Sequence, residues 1–131
     1  MGAYYIVTDL VLRARFDLAA LNVELLEAGL HGGVNFYQGV WSANYSSSKR
    51  GCRIPCEALD ELLGIVENLS EESRTLWDRC KVRRFDLGFQ CFDERHYARW
   101  QVKAPLLMRL AAVNGNLVVT ICRDDSPVDE T

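Results

Sequence analysis

From Val7 the chain alternates. Val7, Asp9, Val11, Arg13 and Arg15 fall on one side of an extended segment, and Thr8, Leu10, Leu12, Ala14 and Phe16 on the other. A period of two belongs to a strand, and here only one side of it is apolar. The stretch RRFDLGFQCF, Arg83 to Phe92, repeats the pattern. Phe85, Leu87, Phe89 and Cys91 share one face, and Arg84, Asp86, Gly88 and Gln90 the other. Strands with a single apolar face need a second layer on that face alone. The rest of the chain has to supply that cover.

It does so with segments of helical period. LAALNVELLEAG places Leu18, Leu21, Leu25 and Leu26 on one stripe, with Asp17 as the predicted N-cap and Gly29 as the terminator. PCEALDELLGIVENL begins with Pro55, suited to a first turn, and carries Leu59, Leu62, Leu63 and Val66 on its apolar side. Ser70 is placed to cap EESRTLWDRC, whose two glutamates favour a helix start. APLLMRLAAVNG reads as a helix closed by Gly115. GVNFYQGVWSANYSSS, rich in aromatic and β-favouring residues, reads as one strand bent near Gly39, and NLVVTIC as the last strand.

The predicted order is β-α-β, two helices, then β-α-β. The two β-α-β stretches echo each other loosely: compare LLEAGLHGGVNFY with RLAAVNGNLVVTI. A β-α-β unit makes its two strands parallel. The expectation is an α+β two-layer sandwich of ferredoxin-like character, with helices on one face of the sheet. Residues 1–122 read as one domain and 123–131, RDDSPVDET, as an acidic mobile tail.

Charge and cysteine content narrow the function. The net charge is −3, which argues against a general nucleic-acid binder. Its distribution is uneven. Glu57 to Ser73 holds six acids and no Lys or Arg, and Arg74 to Arg84 holds five bases and one acid. No apolar run reaches the roughly 18 residues of a membrane helix. The first residues lack the basic region and cleavage site of a signal peptide, so the expected location is the cytoplasm. The five cysteines, Cys52, Cys56, Cys80, Cys91 and Cys122, are then expected as free thiols.

Several constellations offer groups that could carry chemistry. Asp86 with Asp93 and Glu94 is a carboxylate set, but no His or nucleophile stands at a telling distance, and a solvated strand face explains Asp86 more simply. Cys56 near a helix start could pair with His31 or His96, although no cysteine-enzyme signature surrounds it. The C-x3-C of Cys52 and Cys56 has no second pair at metal spacing, and no metal or cofactor is expected. SSSKRGCR offers Lys49, Arg50 and Arg53 to phosphate but lacks the P-loop pattern. Phe36, Tyr37, Trp41 and Tyr45 come without interleaved bases and read as sheet packing rather than a base-stacking platform. The chain is therefore expected not to be an enzyme. The acidic block remains, either as a solvated helix face or as a surface that meets a basic partner.

RRFDLGFQCF followed by PLLMRLAAVNGNLVVTIC resembles a bacterial family of small α+β immunity proteins encoded beside polymorphic or contact-dependent growth inhibition toxins. That family shows an FDIG-like strand, a helix of the form L..L..LG and a closing L.ITIY strand. GVWSANYSS and IP..ALDELL are compatible with its earlier elements. Cys122 stands where an aromatic is usual. The resemblance implies a role: binding a cognate toxin domain, a basic nuclease being the leading class, and occluding its active site. It carries no site residue, because such proteins vary their surfaces to match their own toxins. From the charge pattern, the expected toxin-binding residues are Glu57, Asp60, Glu61, Glu67, Glu71 and Glu72. The alternative is a small-molecule-binding regulatory module without catalytic activity.

Overall fold

A computed structural model describes residues 3–47, 55–91 and 99–123 of the chain. The described residues form an α+β fold with one five-stranded sheet and four helices. The elements are β1 (Ala3–Ala14), α1 (Ala19–Glu27), β2 (His31–Tyr37), β3 (Val40–Ser46), α2 (Pro55–Glu67), α3 (Glu71–Arg79), β4 (Val82–Cys91), α4 (Ala104–Ala112) and β5 (Asn116–Arg123). The sheet order is β2-β3-β1-β4-β5. All neighbours are antiparallel except β4 and β5.

The alternation of β1 and β4 is realised as expected. Leu10 and Leu12 are wholly buried, as is Phe85, which lies opposite Leu10 in the register. Helix residues from all four helices meet this row: Leu21 and Leu25, Leu59, Leu62, Leu63 and Val66, Trp77, and Leu110. Each fully buried leucine contributes about 1.5–3 kcal/mol. All four helices thus bury apolar side chains against the same face of the sheet.

The expected single strand around Gly39 is two. Tyr37 pairs with Val40 across a two-residue turn, in which Gln38 and Gly39 have φ of 51° and 82°. Positive φ at both central positions is the type I′ hairpin, whose twist suits the flanking strands. The aromatic run concealed the break because β2 and β3 share one composition. The hairpin also corrects the first β-α-β unit. β2 does run parallel to β1, but β3 lies between them. The five-strand order therefore differs from a four-stranded ferredoxin-like sheet. The expected tail lies outside the described residues apart from Arg123, which belongs to β5.

Three local readings also shift. Asp17 does not occupy the N-cap; it accepts from the Ala19 N–H at 2.7 Å, one position earlier than expected. Leu26 is 40% exposed and lies off the buried stripe of α1. Gly29 ends α1 at φ 104°, as expected, with Leu30 N–H bonded to Leu25 O and Gly29 N–H to Leu26 O. That is a Schellman closure. α4 ends by the same pair of bonds, Gly115 to Leu110 and Asn114 to Ala111, but Asn114 is the left-handed residue. Gly115 is needed for space instead. A Cβ there would stand 2.6 Å from the Phe85 ring and 2.9 Å from Leu110. Gly115→Ala should therefore cost about 1–3 kcal/mol by overpacking. Denaturant unfolding checks this, and an unchanged midpoint would mean the core yields at that corner.

Candidate functional site

The residue that organises the helical layer is Glu24. It sits on α1, and its carboxylate accepts from Ser70 N–H at 2.6 Å, Ser70 Oγ at 2.8 Å and Ser73 Oγ at 2.7 Å. Ser70 also caps its own helix by accepting from Ser73 N–H. One carboxylate thus fixes the start of α3 against α1, where the helix dipole favours negative charge. Hydrogen bonds from Ser73 and then Ser70 hold Glu24 below the usual carboxylate range.

Beside this joint lies an open groove of about 580 Å³. Glu24 and Glu27 of α1 and Asp60 and Glu61 of α2 line it, over a floor that includes Ala28, Gly64, Ile65 and Leu69. Arg109 of α4 also lines it. Its guanidinium binds Glu67 through two hydrogen bonds, 2.9 and 2.8 Å, and also binds Asp60. The fork geometry of arginine suits this bidentate grip. The Arg109 hydrogen bonds hold Glu67 below its ordinary value. Glu61 accepts from Ser47. The groove lining carries four carboxylates and one guanidinium.

The structure divides the six expected acidic residues. Asp60 and Glu61 line the groove, and Glu67 joins it through Arg109. Glu57 is exposed on α2, and Glu71 and Glu72 are exposed in the first turn of α3; none of the three lines the groove. Sequence reasoning missed Glu24, Glu27 and Arg109. No local signal could reveal Glu24, whose serine partners lie 46 and 49 residues away.

The basic block following the acids has local work. Arg83 donates to the carbonyls of Trp77, Asp78, Cys80 and Asn114, and Arg74 to Asp78 and to the Ala112 carbonyl. These are the C-terminal ends of α3 and α4, where carbonyls lack helical partners and attract cations. Trp77, wholly buried, adds its Nε1–H to the Val113 carbonyl at 2.8 Å.

Asp93, Glu94 and His96 lie outside the described residues, as do Cys52, Lys49, Arg50 and Arg53. Asp86 lies opposite Asp9 in the β1–β4 register, on the face without helices. Thr120 Oγ1 lies 2.8 and 2.9 Å from its two carboxylate oxygens and donates to it. Partial burial, then the Asp86 charge, raises the pKa of Asp9. Cys56 is half-buried and donates to the Gln101 carbonyl at 3.2 Å. Burial raises the Cys80 thiol to about 11, which keeps it protonated and unreactive. Among the described residues no group of three or more His, Cys, Asp or Glu could hold a metal ion. Tyr45 is buried, with its hydroxyl on Asn22, and Trp41 is half-buried, whereas Phe36 and Tyr37 are exposed. No described helix is long and apolar enough to cross a membrane.

Comparison of the chain with protein-family models, with curated proteins and with solved structures found no match.

Two groups should move stability in opposite directions in acid. Asp9 has a raised folded pKa, so folding takes up a proton just above its ordinary 3.8, and stability falls as pH rises through that window. Asp9→Asn should raise stability at neutral pH and abolish this fall. Glu67 has a lowered folded pKa, so its contribution is complete above the unfolded value, near 4.5, and is lost as pH drops below it. Arg109→Gln should remove that loss. Urea midpoints from pH 3 to 7, an interval of roughly that spanned by carboxylate titration, separate the two effects.

Proposed function

We propose that the chain is an immunity protein that binds one cognate toxin domain and blocks its active site, and that α1 and α2 present the binding surface. The observation that carries this reading is the groove. Four carboxylates converge there from two helices, over an apolar floor. A basic cleft, such as that of a nuclease, is the complementary surface, because the carboxylates offer it the negative charge that nucleic-acid phosphates would. Carboxylate surfaces of this kind speed encounter and discriminate among partners. The sequence resemblance to immunity proteins of polymorphic and contact-dependent growth inhibition systems supports the same role. We read β1 to β4 with α1 to α3 as ferredoxin-like in character, with α4 and β5 as an addition at one edge.

The interface residues under this reading are Glu27, Asp60 and Glu61 at the groove, with Glu57, Glu67, Glu71 and Glu72 around it. Glu24 holds the frame and is excluded from the contact set. The protein acts by occupying a surface and catalyses no reaction.

The test begins with the gene next to this one. A large secreted protein with a small variable C-terminal domain encoded there supplies the toxin. Co-expression of that domain with this chain should restore growth. The triple charge reversal Glu27→Lys, Glu57→Lys, Glu61→Lys should slow association by about 10–10³-fold at low salt and abolish rescue. An unchanged association rate would place the interface elsewhere. A toxin domain that kills despite the wild-type chain would remove the immunity role. In that event, thermal stabilisation by a small molecule would support the regulatory-module reading, to which the groove also lends room.

A further inference from the structure

We propose that β5 is a self-association edge, and that two copies of the chain pair β5 against β5 in antiparallel register to make one continuous sheet. The inference begins with what α4 fails to cover. Leu117, Val119 and Ile121 share the helix-bearing face of β5, being opposite Phe85, Leu87 and Phe89 of β4. Leu117 packs on the core, but Val119 is 53% exposed and Ile121 64%. The cover stops after the first of the three.

The edge is also undefended. Natural edge strands carry charges, prolines or bulges that prevent pairing with another chain. From Asn116 to Cys122 there is no charge, proline or glycine, and β5 pairs with β4 residue for residue without a shift. The helix above continues the same character. Arg109, the single charge of α4, turns to Asp60 and Glu67 of α2. Leu107 lies two residues back, roughly 200° around the helix, on the flank away from α2. It is 41% exposed, and Met108 is 72% exposed.

A second copy fits this strip better than a charged partner. Two chains of net charge −3 repel, and the uncharged residues 116–122 are a strip where that repulsion is least and where a charged partner would find nothing to pair with. An antiparallel pair of identical strands is closed by a two-fold axis, so association stops at two. With the axis at Val119, residues 116–122 pair among themselves, Val119 stands opposite the partner's Val119 and Ile121 opposite the partner's Leu117, and these apolar side chains lose water. The axis keeps the helices of both copies on one side, so the uncovered flanks of α4 approach each other above the joined strands.

Light scattering and sedimentation over the micromolar range test the proposal on the full chain. A dimer is expected. Val119→Lys and, separately, Ile121→Lys should weaken it on the order of a hundredfold by placing like charges across the axis. Both positions are exposed, so circular dichroism should remain that of the parent, and either variant that keeps its spectrum suffices for the test. Phe36→Lys, on the opposite edge strand β2, should leave the dimer intact. A chain that is monomeric throughout, a dimer indifferent to both β5 lysines, or a dimer lost on Phe36→Lys would each overturn the proposal.

Discussion

β1 bears the constraint on which the other elements depend. It lies in the middle of the sheet with antiparallel neighbours on both sides, and its leucines are wholly buried. Because its leucines occupy one face only, the helices that cover them have to approach from that face. Shifting β1 by one residue against β4 would exchange Leu10 and Leu12 for Asp9 and Val11, so the register is fixed by burial. Asp9 and Asp86 are then brought opposite each other as a consequence. Two carboxylates in one row cost something when both are ionised, and the Thr120 hydroxyl offsets part of it. The aspartate in the middle of β4 is a member of the open face of the sheet, where it accepts from Thr120 and where no group of three or more metal-ligating side chains accompanies it among the described residues.

The charged segments of the sequence gain a division of labour in three dimensions. Five bases after residue 73 looked like a basic patch set against an acidic one. Arg83 and Arg74 instead spend their donors on the carbonyl ends of α3 and α4, because unpartnered carbonyls at a helix end need donors whatever the surface does. The acids are divided in the same way. Glu24 is bound to two serines, and Asp60 and Glu67 share Arg109. Exposed ion pairs of this kind are worth little to stability, about 0–1 kcal/mol. Their greater effect is on shape: Arg109 holds one wall of the groove in place while leaving a surplus of negative charge around it.

What was legible in the sequence follows the range over which each signal acts. The alternation of β1 and β4, the proline start of α2, the Ser70 cap and the Gly29 terminator are all decided within a few residues, and each is found where the pattern placed it. The hairpin at Gln38–Gly39 was local too, yet strands of uniform composition hid it, and only the two positive φ values separate β2 from β3. The loose echo between the two β-α-β stretches has a physical content. α1 and α4 both end in a Schellman closure that turns the chain straight into a strand. One closure uses a glycine at the left-handed position and the other an asparagine, so the shared geometry is spelled differently. Glu24 and Arg109 were not legible, because their partners lie more than 40 residues away in sequence, and Glu27 was not, because only the fold sets it beside α2.

The second β-α-β unit differs from the first in one respect that bears on association. After α1 the chain returns beyond a neighbouring strand, and β3 then fills the space, so the sheet on that side is completed by a hairpin. After α4 the chain returns directly beside β4, and no further strand among the described residues follows on that edge. Parallel edge strands are usually flanked by more sheet or covered by helices, because their residues are apolar on one or both faces. Here α4 is only nine residues long, and it covers the beginning of β5 but not its end. The acidic groove and the uncharged edge also use different residues: the groove takes its carboxylates from α1 and α2 and Arg109 from α4, and the edge takes β5 with the Leu107 flank of α4. A copy docked on the edge and a basic partner docked on the groove would therefore not compete for the same residues, and each can be removed by substitution without touching the other.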